Sequence, residues 1–244
     1  MYVLNGNHEI LNVSGDFRYV TAGAFQESAR FGRRLEELFG DSDPPAGDVE
    51  GEDAWEAALR TRVGLFSPGG PLAQQFARNS TVLVVNDTVF AHGGLLPAHV
   101  RFGLDRLNAS VSRWMLGDYS AELEEALELA AGTNSSVVWN RQFAKEHWRT
   151  PAERYTQCSI MRQALALIPG VKRLVVGHTP QKGGCNCKCD GQVWRIDVGL
   201  SRGVLGAGPQ VLEIDGDEVR VLGSPGVGAV GVRKVEVQEG SDQD

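Results

Sequence analysis

The chain opens on a short apolar run, Tyr2-Val3-Leu4, that stops at Asn5-Gly6, a pattern predicting a buried strand that delivers a loop. Over residues 25–39 the apolar spacing lengthens to that of a helix. Phe25, Ala29, Leu35 and Leu38 fall on one side, with Arg30, Arg33, Glu36 and Glu37 elsewhere. Residues 41–53 are acidic, rich in Pro and Gly and nearly devoid of large apolar side chains, which predicts a surface insertion. Residues 54–63 suit a second helix, and Pro71 opens a third in which Leu72 and Phe76 should face the core.

The period then shortens to that of strands. Residues 81–85 and 88–91 are β-branched runs separated by Asn86-Asp87, a hairpin signal, so the second strand should end at His92-Gly93-Gly94. Glu-rich residues 121–131 and residues 152–167 predict amphipathic helices, and residues 172–176 a strand ending at Gly177-His178. Residues 193–198, and the pair 210–214 and 218–222 around Asp215-Gly216-Asp217, complete the strands. Helices alternating with strands early and hairpins late predict a layered α/β domain with a mixed sheet over residues 1–222. Residues 223–244, Gly-rich and then acidic, read as a disordered tail.

Composition narrows the class. With 244 residues, 42% hydrophobic and 23% charged, the chain can bury its own core. A net charge of −7 and scattered basic residues argue against a surface for nucleic acid or anionic lipid. No stretch approaches the roughly 18 apolar residues of a membrane span. Three of the four cysteines crowd into Cys185, Cys187 and Cys189, unlike an evenly spread disulfide framework, which points to a reducing intracellular compartment such as the cytoplasm or chloroplast. With Cys158 they could form a structural zinc site. The C-x-C-x-C spacing is wrong for paired C-x-x-C ligands and favours thiols on a loop.

Three segments each follow a predicted strand with a Gly-flanked residue able to bind metal: Gly6-Asn7-His8-Glu9, His92-Gly93-Gly94 and Gly177-His178-Thr179-Pro180. Loops at the carboxyl ends of strands form the ligand crevice of α/β sheets, so the three can converge. Two imidazoles and an amide oxygen suit Mn, Fe or Zn better than calcium. His99 and His147 have no such context and read as surface or internally satisfied residues. Trp139, Phe143 and Trp148 fit either a cleft wall or helix-packing core.

The ordered strings GNHE, HGG, GHTPQ and RIDVG resemble the motif set of the calcineurin-like metallophosphoesterases, specifically the phosphoprotein phosphatases. The strings NVSGDFRYV, VVWNRQFA and CDGQVWRIDVGLS resemble the Shewanella-like phosphatase branch. This resemblance implies a layered metallophosphoesterase sandwich with mixed central sheets and a serine/threonine protein phosphatase, with tyrosine as an alternative. It also implies two divalent metal ions in the complete enzyme, Asn7, His92 and His178 binding one of them. His8 would donate the proton to the leaving alcohol, Glu9 orient the loop and Arg141 grip the substrate phosphate. Such a site is physically coherent, because a phosphomonoester dianion needs charge neutralisation and a guanidinium fork matches phosphate oxygens better than an ammonium does.

The family's GDxHG and GDxxDRG motifs, which supply the other metal's ligands and the bridging carboxylate, precede GNHE and do not occur in this sequence. The expectation is therefore an N-terminally truncated domain lacking its first strands, with ligands for one ion. Gly15-Asp16 and Gly117-Asp118 are not followed by His-Gly or Asp-Arg-Gly and do not replace the missing motifs. An inactive fragment and a hydrolase of small phosphoesters such as dinucleoside polyphosphates are the alternatives. An exposed sheet edge beside Tyr2-Val3-Leu4 should make the chain poorly soluble.

Overall fold

A computed structural model describes residues 1–39, 52–145 and 147–223. The expected insertion lies almost wholly, and the tail after Gly223 wholly, outside these residues. The chain divides into two compact units, one comprising residues 8–79 and 112–121, the other residues 1–7, 80–111 and 122 onwards. No helix among the described residues is long and apolar enough to cross a membrane.

In the first unit α1 (Asn7–Val13, whose Asn7 belongs to the other unit) leads to α2 (Ala22–Phe39), α3 (Glu52–Phe66) and α4 (Pro71–Phe76). α1 replaces what reads in sequence as pure loop; its seven residues are too few to show a period. Phe25 of α2 is buried, with its ring 4.4 Å from that of Trp55 on α3. Gly32 permits this close approach, since a Cβ there would lie 2.5 Å from Thr61 Oγ1. α4 begins at Pro71 as expected, but it buries Ala73 and leaves Leu72 and Phe76 half-exposed.

The second unit holds β1 (Val82–Val85), β2 (Thr88–Ala91), α5 (Pro97–Phe102), α6 (Leu104–Met115, crossing into the other unit at Ser112), α7 (Glu124–Leu127), α8 (Pro151–Ala166) and β3 (Arg173–Val176). It closes with β4 (Asn186–Lys188), β5 (Val193–Arg195), β6 (Gln210–Asp215) and β7 (Glu218–Gly223). A five-stranded mixed sheet runs β1-β2-β3-β5-β4, with β2, β3 and β5 mutually parallel and antiparallel strands at both edges. All four residues of β3 are buried, as befits a parallel strand covered on both faces. The hairpin β6–β7 packs Val221, Leu212, Ile214 and Val219 against Val175, Trp194, Cys185 and Cys187, making a two-layered core.

Several local readings need correction. Tyr2-Val3-Leu4 is not a strand: Leu4 makes one bridge to Ser80, while Tyr2 and Val3 are exposed. The helix expected over 121–131 breaks into 3₁₀, α and π turns, because the carbonyls of Leu129 and Ala130 accept from Val137 and Val138 amides. α5 and α6 went unread, although Leu107, Val111 and Met115 form a buried stripe at helical spacing. α8 starts one residue early, behind Thr150, whose hydroxyl accepts from Glu153 N while the Glu153 carboxylate accepts from Arg149 N.

The cysteines depart furthest from expectation. Cys158 on α8 and Cys189 beyond β4 form a disulfide with Cα atoms 5.5 Å apart, across 31 residues of sequence. Cys185 and Cys187 are buried and not disulfide-bonded, and Cys187 lies in β4, not in a loop. Two of the four sulfurs being cross-linked leaves no four-thiolate zinc site.

Candidate active site

β2 and β3 are parallel neighbours with Ala91 opposite Val176, so His92 and His178 leave the sheet from adjacent strand ends. The Gly177 amide donates to the His92 carbonyl at 2.9 Å, tying the two loops together. The Asn5 amide donates to Ser80 at 2.9 Å and anchors the segment carrying Asn7 beside β1. Asn7 is 3% exposed. Its Oδ1 lies 2.7 Å from His92 Nε2, which lies 3.1 Å from His178 Nδ1. The three loops therefore meet at three donor atoms within one unit.

His178 has a φ of 63°, in the left-handed region that non-glycine residues seldom occupy and histidine enters more readily than most. The Trp139 ring stands perpendicular to its imidazole at a centroid distance of 5.5 Å. Gly93 and Gly94 both donate their amides to the Val137 carbonyl at 3.0 Å. A Cβ on Gly93 would lie 2.8 Å from the Val137 and Asn140 carbonyls, and one on Gly94 3.0 Å from the Asn140 side chain. Close backbone approach, not a positive φ, is what these glycines permit.

That approach brings Arg141 to the same place. Its Nη1 lies 3.3 Å from the His178 carbonyl and 3.3 Å from Thr179 Oγ1, and the side chain is exposed. Gln181, 1% exposed, braces both neighbouring segments by donating to the Thr179 carbonyl at 2.7 Å and the Ala144 carbonyl at 2.8 Å. Neither Gln181 nor Asn140 was singled out from sequence, though both sit inside quoted strings. Trp139 is half-buried beside the site, whereas Phe143 and Trp148 are core. His99 is buried and accepts from the Leu96 amide, and His147 is exposed, so neither joins the site.

The donor set fits a divalent transition metal. Two donors bound at right angles to one ion, each about 2.1 Å away, stand about 3 Å apart, and the observed separations of 2.7 and 3.1 Å bracket that value. Among the described residues no group of three or more His, Cys, Asp or Glu could hold a metal, so the set depends on the Asn7 amide.

His8 and Glu9 lie in the other unit, on the first turn of α1 directly after Asn7. His8 is exposed, its ring 5.4 Å from that of Tyr19, and its carbonyl accepts from Asn12 Nδ2 at 2.7 Å. A carboxylate at Glu9 suits the positive end of a helix. Asp16 and Asp118 are engaged locally, the first by Arg18 and the second by the Ser120 hydroxyl and amide and then Arg113, which together lower the Asp118 carboxyl to about 2.

No protein-family model matches the chain. The fold is that of a cold-active protein-tyrosine phosphatase from a psychrophilic Shewanella species, with a TM-score of 0.56 over 90% of this chain and 55% of that one, at 21% identity. A Shewanella-like protein phosphatase 2 of Arabidopsis thaliana is 39% identical over 238 residues, covering 91% of this chain and 59% of that protein. An uncharacterized protein, R398, of Acanthamoeba polyphaga mimivirus is 29% identical over 82% of this chain and 81% of its own length. The mixed α/β fold with its central mixed sheet is the one this chain shares with the Shewanella structure. At this level of identity the chain resembles the Shewanella-like protein phosphatases, and it spans about three fifths of the length of the Arabidopsis relative.

Proposed function

We propose that this chain forms part of a metal-dependent phosphomonoesterase acting on phosphoproteins, with phosphoserine and phosphothreonine as substrates. The convergence of Asn7 Oδ1, His92 Nε2 and His178 Nδ1 carries the reading. These three residues would hold one divalent ion, which when bound supplies charge neutralisation and Lewis-acid polarisation of the phosphoryl oxygens.

Arg141 is exposed beside the His178 loop, where its planar fork can donate to two phosphoryl oxygens and orient the ester for in-line displacement. His8 donates a proton to the departing alcohol oxygen, sparing an alkoxide that water alone would protonate too late. Glu9 stabilises the helix start that follows Asn7. The Shewanella neighbour, described as a protein-tyrosine phosphatase, makes phosphotyrosine the second substrate to assay.

The test is manganese-dependent hydrolysis of p-nitrophenyl phosphate and of phosphoserine, phosphothreonine and phosphotyrosine peptides. It uses this chain and the full translation product of its gene. His8→Asn should lower kcat by about 10²–10⁴-fold, the range for loss of a general acid. Arg141→Lys should raise KM. Activity on dinucleoside polyphosphates but not on phosphopeptides, or full activity in His8→Asn, would overturn the assignment.

A further inference from the structure

We infer that the turn from Asn12 to Tyr19, clamped by the guanidinium of Arg62, is a positioning device for the His8 imidazole. Arg62 on α3 is 8% exposed. Its guanidinium carbon lies 4.5 Å from the Phe66 ring centroid, 5.4 Å from that of Phe17 and 5.6 Å from that of Phe25. Its Nη1 donates to Ser28 Oγ at 3.2 Å and its Nη2 to Asn12 Oδ1 at 2.6 Å. The same Asn12 amide donates through Nδ2 to the His8 carbonyl at 2.7 Å. From the other end of the turn, Tyr19 sets its ring 5.4 Å from the His8 ring. Gly15, with a φ of 75°, and the Asp16–Arg18 ion pair close the turn between them. All these residues lie in one compact unit.

Burying a guanidinium is costly, and an apolar side chain among three phenyl rings would pack without that cost. What an apolar residue cannot do is fix the Asn12 amide, whose oxygen faces Arg62 and whose nitrogen faces His8. An exposed imidazole samples several rotamers unless something holds it. The Asn12 bond holds the His8 main chain and the Tyr19 ring lies beside the imidazole, which together narrow the rotamers His8 samples. This gives a part in the site to the NVSGDFRYV string, which supplies Asn12, Phe17 and Tyr19.

The inference rests on the reading of His8 as the acid, but its test separates the two. In the chain as it exists, NMR should show cross-relaxation between the His8 and Tyr19 ring protons. Arg62→Met and Asn12→Leu should each abolish it, and Arg62→Lys should restore part of it. Asn12→Leu leaves the cation and its aromatic cage in place, so it decides the matter should Arg62→Met fail to fold. In the active product, Arg62→Met and Asn12→Leu should lose at least about tenfold more rate on phenyl phosphate than on p-nitrophenyl phosphate, because a poorer leaving group depends more on the acid. A purely structural role would lower both rates alike. His8→Asn is the reference: without the same grading there, the acid assignment falls while the NMR result still decides the positioning. Retention of the His8–Tyr19 contact in both variants, or an ungraded loss beside a graded His8→Asn, overturns the inference.

Discussion

His92 Nε2 lies 3.1 Å from His178 Nδ1 across 86 residues of sequence, and the parallel pairing of β2 with β3 is what brings them together. Two imidazoles at that distance either share a proton or hold a common ion. Asn7 Oδ1, 2.7 Å from the same Nε2, brings a third potential ligand atom to that point.

The glycine pair after His92 sets how closely the loop can dock. Gly93→Ala would force a Cβ to within 2.8 Å of two backbone carbonyls, atoms that cannot swing aside. It should cost about 1–3 kcal/mol of stability, the usual range for overpacking, and weaken metal binding in parallel. Urea denaturation and metal titration of the same variant measure both; a stable variant with normal metal affinity would contradict the tight docking.

His99, 1% exposed, accepts the Leu96 amide through Nδ1, and burial holds its pKa down to about 4 against an opposing backbone contact with Ser135. The folded pKa lies below the unfolded one near 6.5, so the unfolded chain takes up the proton first as pH falls. Stability should be full above pH 6.5 and decline towards pH 4, by at most about 3 kcal/mol. Denaturation midpoints across that window should fall for the wild type and stay flatter for His99→Gln.

The disulfide between Cys158 and Cys189 encloses a 31-residue separation, for which loop closure predicts about 3–4 kcal/mol. Thermal unfolding with and without dithiothreitol, and of Cys158→Ser, should show that loss. Burial pushes the Cys185 thiol up to about 11, so it should resist alkylation until the chain unfolds.

The strand-end histidines were legible because hairpin chemistry at Asn86-Asp87 and the β-branched run before Gly177 mark where strands stop. The meeting of the three loops followed from their matching Gly-flanked contexts. The Cys158–Cys189 pair was not legible, since the contact depends on how α8 lies beside the turn after β4 and no local pattern encodes that. Arg62 was equally silent: a lone arginine on an amphipathic helix reads as surface until Phe17, Phe25 and Phe66 are seen around it. α6 was missed despite its clear stripe of Leu107, Val111 and Met115, because Asn, Ser and Arg between them dilute the run.

The most direct test is calorimetric and visible-absorption titration of the chain with Mn²⁺ and Co²⁺, alongside His92→Ala, His178→Ala and Asn7→Ala. Binding of one ion per chain, weakened at least about a hundredfold by either histidine substitution and less by Asn7→Ala, is the predicted result. Equal binding by the wild type and all three variants would show that these donors meet for a structural reason and hold no metal.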